Sequence, residues 1–320
     1  MKLYKTPLLF ASIFSLASKT AFADLSPLIS PAQLQDRLGE DDLVVLDIRS
    51  RNVENSDLSI FLSGHIPGSI NAPYGLFRGP AENPGQLIEE QDLEALLQSL
   101  GLELSDKVIV TYQGKSETDF GSAARVYWTL KSSGFEQLAI LNGGINAWLD
   151  EGLRLDDGAA DLPEASDIDI TFSSEWLATT TDIEAILAND SDGFDLIDAR
   201  PVEFWEGEKK HPAALKPGTL PQSRYFEHYR WFSPANTALV DVSAVEGLIS
   251  DGGFSNDDAL VSFCNTGHWA ATNWFALSEL GGLQDVRLYP GSMVEYGSSG
   301  GKLANTPGLL GNLINRITGG

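Results

Sequence analysis

The chain has 320 residues and a formal net charge of −24, with 21 Lys and Arg against 45 Asp and Glu. So acidic a protein argues against nucleic acid or an anionic membrane surface as partners, because both attract Lys and Arg. A single cysteine excludes an internal disulfide framework and every multi-cysteine zinc or iron–sulfur site. The hydrophobic content of 42% is enough for real cores, and the length indicates two domains.

Residues 1–23 have the pattern of a secretory signal peptide. A basic start with two lysines precedes an apolar stretch, 7–17, which is too short to span a bilayer, and Ala21-Phe22-Ala23 is a small-x-small cleavage site. An uncleaved anchor or a buried helix is the alternative. We expect a mature chain that begins at Asp24 and is periplasmic or secreted, with no membrane association after signal removal.

The remainder of the chain is predicted to be an internal duplication. The apolar strand that ends in Asp47 and Arg49 recurs 151 residues later as the strand that ends in Asp198 and Arg200. Because the Asp-x-Arg pattern occurs in both halves, we expect these four residues to form a structural motif, either an ion pair or a loop anchor.

A second strand pattern supports the duplication and locates the cysteine. The apolar run 107–112 recurs as 259–263, and at the spacing of 151 residues Gln113 corresponds to Cys264. In each unit short apolar strands alternate with amphipathic helices. This alternation predicts an α/β fold of two tandem domains, each a mainly parallel sheet with helices on both faces.

Composition changes along the chain set the expected boundaries. The polar, acidic stretch between the two units is typical of a linker, and the Gly- and Ser-rich end is expected to wrap a surface or fray. The predicted organisation is a signal peptide (1–23), a first domain (24–155), a linker (156–170), a second domain (171–297) and a C-terminal tail (298–320).

Cys264 is predicted at the carboxyl end of a strand and the entry to a helix, which is where ligands bind in open α/β sheets. Inward-facing loop N–H groups and the helix dipole would both favour a thiolate there. Asn265 and Thr266 are small and polar, Gly267 allows unusual backbone angles, and His268 could donate to a bound anion. With Trp269 and Ala270, whose amides belong to the same loop, they are the candidate substrate-binding residues.

From these residues we predict that Cys264 is a catalytic nucleophile, partly exposed in a cleft near the domain interface. A buried, inert thiol is the alternative. A metal site is not expected, because Cys264 and His268 supply only two ligands.

The sequence at this point resembles the two-domain rhodanese-type sulfurtransferases, the family of the thiosulfate and 3-mercaptopyruvate sulfurtransferases, and in particular an exported bacterial member. The resemblance covers nearly all of residues 29–297. Gly-His-Ile-Pro-Gly at 64–68, after an Asp-x-Arg strand, is its most specific signal. The matching segments are 44–49, 63–71 and 141–148 in the first unit, and 196–201, 216–221 and 288–292 in the second.

The resemblance implies a silent first domain and a catalytic Cys264 in the second. The thiolate would take a sulfane sulfur from thiosulfate or 3-mercaptopyruvate as a persulfide and pass it to a thiol or to cyanide. No cofactor beyond the covalent persulfide is implied. We expect a monomer with small-molecule partners, in which the amides of residues 265–270 hold the anionic part of the donor.

The chain departs from the family pattern at donor-binding positions. Thiosulfate-using members usually have basic residues where this chain has Asn265 and Thr266, and an Arg where it has Phe204. Members that use 3-mercaptopyruvate have a Gly-Ser-Gly type loop instead. The sequence therefore leaves the donor open, and it predicts that backbone amides and His268 hold the anion almost alone.

Two other functions compete with sulfur transfer. A phosphatase of the related Cys-loop type needs an Arg near Cys-x5-Arg, but positions 270 and 271 are both Ala, which disfavours it. A non-catalytic periplasmic binding or thiol-sensing module is favoured by the missing basic residues and opposed by the intact Cys-x-x-Gly loop. This second alternative stays open at the sequence level.

Overall fold

The computed structural model of the chain describes residues 25–50, 59–160, 163–189 and 193–307. The predicted signal peptide, 1–23, lies outside these residues. Across the described ranges, no helix combines the length and the apolar character that a bilayer crossing requires.

The first domain is built on a five-stranded parallel sheet with the order β1-β5-β4-β2-β3. Its strands are β1 (Leu28–Ile29), β2 (Leu43–Asp47), β3 (Ile70–Asn71), β4 (Lys107–Thr111) and β5 (Leu138–Leu141). Its helices are α1 (Pro31–Gln35), α2 (Ile60–Ser63), α3 (Glu90–Ser99), α4 (Glu117–Ser132) and α5 (Gly144–Asp150), with a 3-10 turn at Tyr74–Phe77.

The second domain repeats this plan with a four-stranded parallel sheet in the order β11-β10-β6-β7. Its strands are β6 (Asp195–Asp198), β7 (Arg224–Tyr225), β10 (Leu260–Phe263) and β11 (Val286–Leu288), beside an antiparallel hairpin of β8 (Phe232–Ser233) and β9 (Asn236–Val240). Its helices are α6 (Thr180–Leu187), α7 (Val202–Trp205), α8 (Val245–Asp251), α9 (Trp269–Trp274) and α10 (Ser292–Ser298). A π-helical turn, Phe275–Leu280, continues α9, and shorter 3-10 turns span His228–Trp231 and Val242–Ala244.

Alternate residues of the central strands enter different cores. Val108 and Val110 of β4 join one cluster, and Ile109 joins another on the opposite face. Strands covered on both faces read as continuous apolar runs, which is why β4 and β10 lack a polar alternation. The predicted α/β fold of two mainly parallel sheets with helices on both faces is confirmed.

One apolar core crosses the domain boundary, because α4 packs against α9 and the turn that follows it. The ring of Phe275 meets Tyr127 edge-on at 5.0 Å and Phe120 at 5.6 Å between centroids. Polar contacts support the same interface: Glu279 accepts from the Tyr127 hydroxyl at 2.6 Å and pairs with Lys131 at 3.0 Å. The first domain therefore covers the region immediately after β10.

The strand register shows that the repeat is not spaced uniformly. In the strand register, Asp47 at the end of β2 pairs with Thr111 of β4, whereas Asp198 at the end of β6 pairs with Phe263 of β10. The second unit thus has one more residue between these two strands than the first unit.

This extra residue corrects the predicted counterpart of the cysteine. Cys264 corresponds to Tyr112, so the assignment of Gln113 as its equivalent is wrong. Backbone hydrogen bonds agree, because the Tyr112 carbonyl accepts from Ile145 N at 2.8 Å and the Cys264 carbonyl accepts from Met293 N at 3.1 Å. A count at fixed spacing cannot detect a single-residue insertion.

The Asp-x-Arg residues form the same buried ion pair in both domains. Arg49 Nη2 lies 2.6 Å from Asp47 Oδ2, and Arg200 Nη2 lies 2.6 Å from Asp198 Oδ2. Arg49 also donates to the Gly64 carbonyl at 2.7 Å, and Arg200 donates to the Gly218 carbonyl at 2.9 Å. This geometry is that of a loop anchor.

The described parts of the predicted linker and tail lie against the domains. Ile168 and Ile170 are buried in the shared core, so the end of the linker packs on the protein. In the tail, Ala304 pairs in antiparallel fashion with Thr219. Chain as far as residue 307 therefore wraps the second domain.

Candidate active site

The loop that begins at Cys264 connects β10 to α9, as the sequence predicts. The predicted exposure is wrong: the Cys264 side chain is 1% exposed and belongs to the shared core. The cause is the first domain, whose helix α4 packs so closely over the loop that a Cβ on Gly121 would lie 2.9 Å from the His268 ring.

Ser292 fixes the start of this loop. Its Oγ accepts hydrogen bonds from the N–H of Cys264 at 3.0 Å and of Gly267 at 3.1 Å, and it donates to the Tyr289 carbonyl at 2.7 Å. Ser292 has φ 51°, in the left-handed region, where its first-domain counterpart is Gly144 with φ 57°. Holding a serine in this region costs free energy, which indicates a requirement for the hydroxyl.

The Ser292 contact revises the expected role of the loop amides. The Gly267 N–H is already bound to Ser292, so it is not free to hold an anion as predicted. Sequence reasoning included residues 288–292 among the segments that resemble the family but missed the role of Ser292. The contrast between a serine and a glycine at equivalent positions was the available signal.

Asn265 and Thr266 are both buried, and each is tied to an arginine. Asn265 Oδ1 accepts from Arg200 Nη1 at 3.3 Å, which links the loop to the Asp-x-Arg anchor. The Thr266 carbonyl accepts from Arg78 Nη2 at 2.8 Å. In this structure both predicted substrate-binding residues hold the loop in shape.

His268 is held by two partners from the first domain. Its Nε2 lies 2.7 Å from the Thr118 carbonyl and must donate to it, so Nδ1 accepts from the Tyr74 hydroxyl at 3.0 Å. Burial, together with Arg78, lowers the pKa of His268 to about 3. His268 is therefore neutral with both nitrogens engaged, and its expected role as a donor to a bound anion is wrong.

Trp269 and Ala270 begin α9 and serve packing roles. The Trp269 indole stacks on the His228 ring at 5.0 Å and meets Phe204 edge-on at 5.8 Å between centroids. Ala270 is fully buried, and its carbonyl accepts from Ser262 Oγ at 3.0 Å. Phe204 thus forms part of an aromatic wall beside the loop.

The first domain also supplies two arginines to this loop, Arg78 and Arg125. Sequence reasoning missed both, because they lie more than a hundred residues from Cys264 and no local motif marks them. Only the packing of α4 and of the segment after Tyr74–Phe77 brings them to the loop. No cluster of three or more His, Cys, Asp or Glu suited to a metal is present in the described ranges.

We expect Ser292→Gly to keep the loop backbone but to loosen the loop. Glycine adopts φ 51° freely, but the Cys264 and Gly267 amides lose their shared acceptor, which costs about 1–3 kcal/mol for buried donors. Ser292→Ala should be less stable than Ser292→Gly by about 1 kcal/mol, because it retains the side-chain strain. Urea denaturation measures both, and equal stability of wild type and Ser292→Gly would contradict the assigned role.

We expect His228 to make stability fall in mild acid. It is 2% exposed and its Nδ1 lies 2.9 Å from the Ala199 carbonyl, and burial lowers its pKa to about 4. The unfolded chain therefore binds the extra proton first as pH falls from about 6.5, and stability drops by up to about 1.4 kcal/mol per pH unit until about pH 4.

The matching variant is His228→Gln. Its unfolding free energy, followed by urea denaturation from pH 7.5 to pH 5, should fall less steeply than that of the wild type. Identical slopes in the two proteins would show that His228 does not titrate in this way.

Both domains are similar in sequence to known proteins. The sequence model of the family described as "Rhodanese-like domain" matches residues 30–151 and 179–299. A 3-mercaptopyruvate sulfurtransferase of Escherichia coli is 27% identical over 271 residues, covering 83% of this chain and 92% of the relative. A thiosulfate sulfurtransferase of Pseudomonas aeruginosa is 28% identical over 280 residues, covering 87% of this chain and 97% of the relative.

Solved structures share the fold. The crystal structure of a 3-mercaptopyruvate sulfotransferase from Escherichia coli matches with a TM-score of 0.69 at 24% identity, covering 83% of this chain and 98% of that one. An anaerobic ergothioneine biosynthesis enzyme from Chlorobium limicola matches with a TM-score of 0.74 at 18% identity, covering 87% of this chain and 70% of that one.

Proposed function

The chain belongs to the rhodanese-like domain family, with two copies of the domain, and we propose that it is a sulfurtransferase that carries a sulfane sulfur on Cys264. The observation that carries this proposal is the placement of the single cysteine. It stands at the carboxyl end of the interior strand β10, in a loop that Ser292 and the first domain hold in shape.

In the first half-reaction the Cys264 thiolate attacks the transferable sulfur of the donor, which is the outer sulfane sulfur of thiosulfate or the thiol sulfur of 3-mercaptopyruvate. With thiosulfate, an S–S bond forms between Cys264 Sγ and this outer sulfur, the S–S bond within the donor breaks, and the electron pair leaves on sulfite. With 3-mercaptopyruvate, the C–S bond breaks, the electron pair passes to carbon, and the thiol proton ends on the methyl group of pyruvate. Sulfur is a soft electrophile, for which a thiolate is the suitable nucleophile.

In the second half-reaction the outer sulfur of the persulfide moves to an acceptor. Cyanide or a thiolate attacks that sulfur, the S–S bond breaks, and the electron pair returns to Cys264. The single cysteine suits this cycle, because the chain has no second thiol to convert the persulfide into an internal disulfide. The persulfide is covalent, so the proposed cycle uses no separate cofactor.

Two of the relatives support an anionic sulfur donor. Their names specify 3-mercaptopyruvate or thiosulfate as the sulfur source. We assign this chain a donor of that class and a small thiol or cyanide acceptor, with the monomer as the working form. Neither set of family donor-binding residues is present at positions 204, 265 and 266, so the sequence does not choose between the donors.

We expect Cys264→Ser to abolish sulfur transfer. The hydroxyl is a far weaker nucleophile toward sulfur, so thiocyanate formation from cyanide should fall by about 10⁴-fold or more with either donor. Intact-mass measurement after donor treatment should show one added sulfur on the wild type and none on the variant. Tyr112→Phe changes the first-domain counterpart of Cys264 and should leave transfer unchanged.

The outcome of this comparison is decisive. Wild-type protein that gains no sulfur from thiosulfate or 3-mercaptopyruvate would favour a non-catalytic binding module. Transfer that persists in Cys264→Ser would rule out the persulfide mechanism. A donor preference in the wild type would name the sulfur source.

We further propose that the protein is exported to the periplasm. The support is the pattern of residues 1–23, with its basic start, apolar stretch and Ala21-Phe22-Ala23 site. Expressed in a Gram-negative host, the protein should appear in the periplasmic fraction with Asp24 at its N-terminus, and Ala23→Glu should retain residues 1–23. Full-length wild-type protein in the cytoplasm would contradict the proposal.

A further inference from the structure

Two guanidinium groups from the first domain touch the backbone of the Cys264 loop. Arg78 Nη2 donates to the Thr266 carbonyl at 2.8 Å. Arg125, on α4, is fully buried, and its Nη1 lies 3.5 Å from the Gly267 carbonyl. Its Nη2 donates to the Gly85 carbonyl at 3.2 Å. Gly267 allows this approach, because a Cβ there would lie 2.3 Å from Arg125 Nη1.

Neither arginine has an acidic partner. Within the described ranges, neither forms an ion pair with a carboxylate. Arg78 Nη1 and Arg125 Nε are buried and have no hydrogen-bond partner there. Burying a guanidinium such as that of Arg125 without a counter-charge lowers the stability of the fold, and a second cation nearby lowers it further. Burial and the charge of Arg78 lower the pKa of Arg125 to about 9.

Arg125 interacts electrostatically with groups beside the cysteine loop. Tyr74, Cys264 and Glu295 partly offset the lowering of the Arg125 pKa. The Tyr74 hydroxyl keeps its proton, which it donates to His268, so it supplies no counter-charge. The Glu295 carboxylate already accepts hydrogen bonds from the Thr180 hydroxyl at 2.6 Å and from the Asn83 amide at 3.1 Å. Arg78 Nη1 and Arg125 Nε, the two buried donors of this pair without a partner in the described residues, are the groups that an anion beside Cys264 would satisfy.

We propose that Arg78 and Arg125 form the anion subsite of Cys264 and bind the oxyanion end of the sulfur donor. The proposal rests on the proposed sulfur transfer. It accounts for a second domain that has Phe204, Asn265 and Thr266 at the family's basic positions. In this chain the first domain supplies the cations, and the second supplies the nucleophile.

The chemistry of the ligand follows from the guanidinium. Its planar N–H groups match the oxygens of a sulfonate or a carboxylate, and charge-assisted hydrogen bonds to such groups are strong. The leaving group retains this oxyanion end after the sulfur has moved: sulfite from thiosulfate, pyruvate from 3-mercaptopyruvate. The same pair therefore binds donor and product.

Another titratable group lies within electrostatic range of Arg78. Burial lowers the pKa of His211, and the charges of Arg78 and Lys210 lower it further. Arg78 is half-buried, whereas Arg125 is fully buried. Because Arg78 is the more exposed of the two, we assign it the outer position of the subsite and Arg125 the inner one.

The test measures anion binding without sulfur transfer. Sulfite and pyruvate are titrated by calorimetry into Cys264→Ser, and into the same protein with Arg78→Gln added. We expect the added change to weaken binding of at least one anion by about 10- to 100-fold. Arg154→Gln, an exposed site with the same charge change, should alter binding less than about twofold.

The outcomes separate this proposal from the function on which it rests. Weaker binding with Arg78→Gln but not with Arg154→Gln supports the subsite, and the anion affected identifies the donor. Equal effects of the two variants, or no binding of either anion to Cys264→Ser, overturn it. A wild type that forms no persulfide defeats the proposed function, yet the binding result still decides the subsite.

Kinetics give a second readout in otherwise wild-type protein. Arg78→Gln should raise KM for the donor and leave that for cyanide unchanged, and Arg78→Lys should restore part of the donor affinity through its charge. Arg125→Lys provides the same comparison at the buried position while keeping a cation. Donor and cyanide KM values that rise together would indicate a structural role and contradict the subsite.

Discussion

The packing of α4 on α9 is the contact on which the rest of the site depends. It joins the two domains into a single core that runs through Tyr127 and Phe275. The same contact covers the loop that begins at Cys264, neutralises His268 and delivers Arg125. The proposed nucleophile is thereby screened from bulk water by a domain that contains no cysteine, and water exclusion strengthens every charge interaction beside it.

Charge is distributed very differently at two scales. The chain as a whole is strongly acidic, which gives no long-range attraction for an anionic donor. Beside the loop lie two guanidinium groups, those of Arg78 and Arg125, and neither forms an ion pair in the part of the chain that the structure describes. At this site an anion is therefore selected by short-range hydrogen bonds to the guanidinium groups. The charge of the protein surface does not increase the rate at which the anion arrives.

The sequence was a good guide wherever the signal was local. Strand periodicity and the repeated Asp-x-Arg pattern predicted the fold and the two domains, and the strand-to-helix junction predicted where Cys264 would lie. Prediction failed where the cause was distant along the chain. Arg78, Arg125 and Tyr74 reach the loop only through tertiary packing, and the same packing buries Cys264 and occupies both nitrogens of His268. Tyr112 was missed because a fixed spacing cannot reveal one inserted residue.

The identity of that counterpart limits what can replace it. Tyr112 accepts a hydrogen bond from the Gly143 N–H at 3.2 Å, and its ring meets Phe120 of α4 edge-on at 5.8 Å. The position that holds the cysteine in one domain thus supports the interface helix in the other. A cysteine at position 112 would leave a void beneath α4 and disturb the loop of the other domain. A second thiol at this position would therefore weaken the interface on which the Cys264 loop depends.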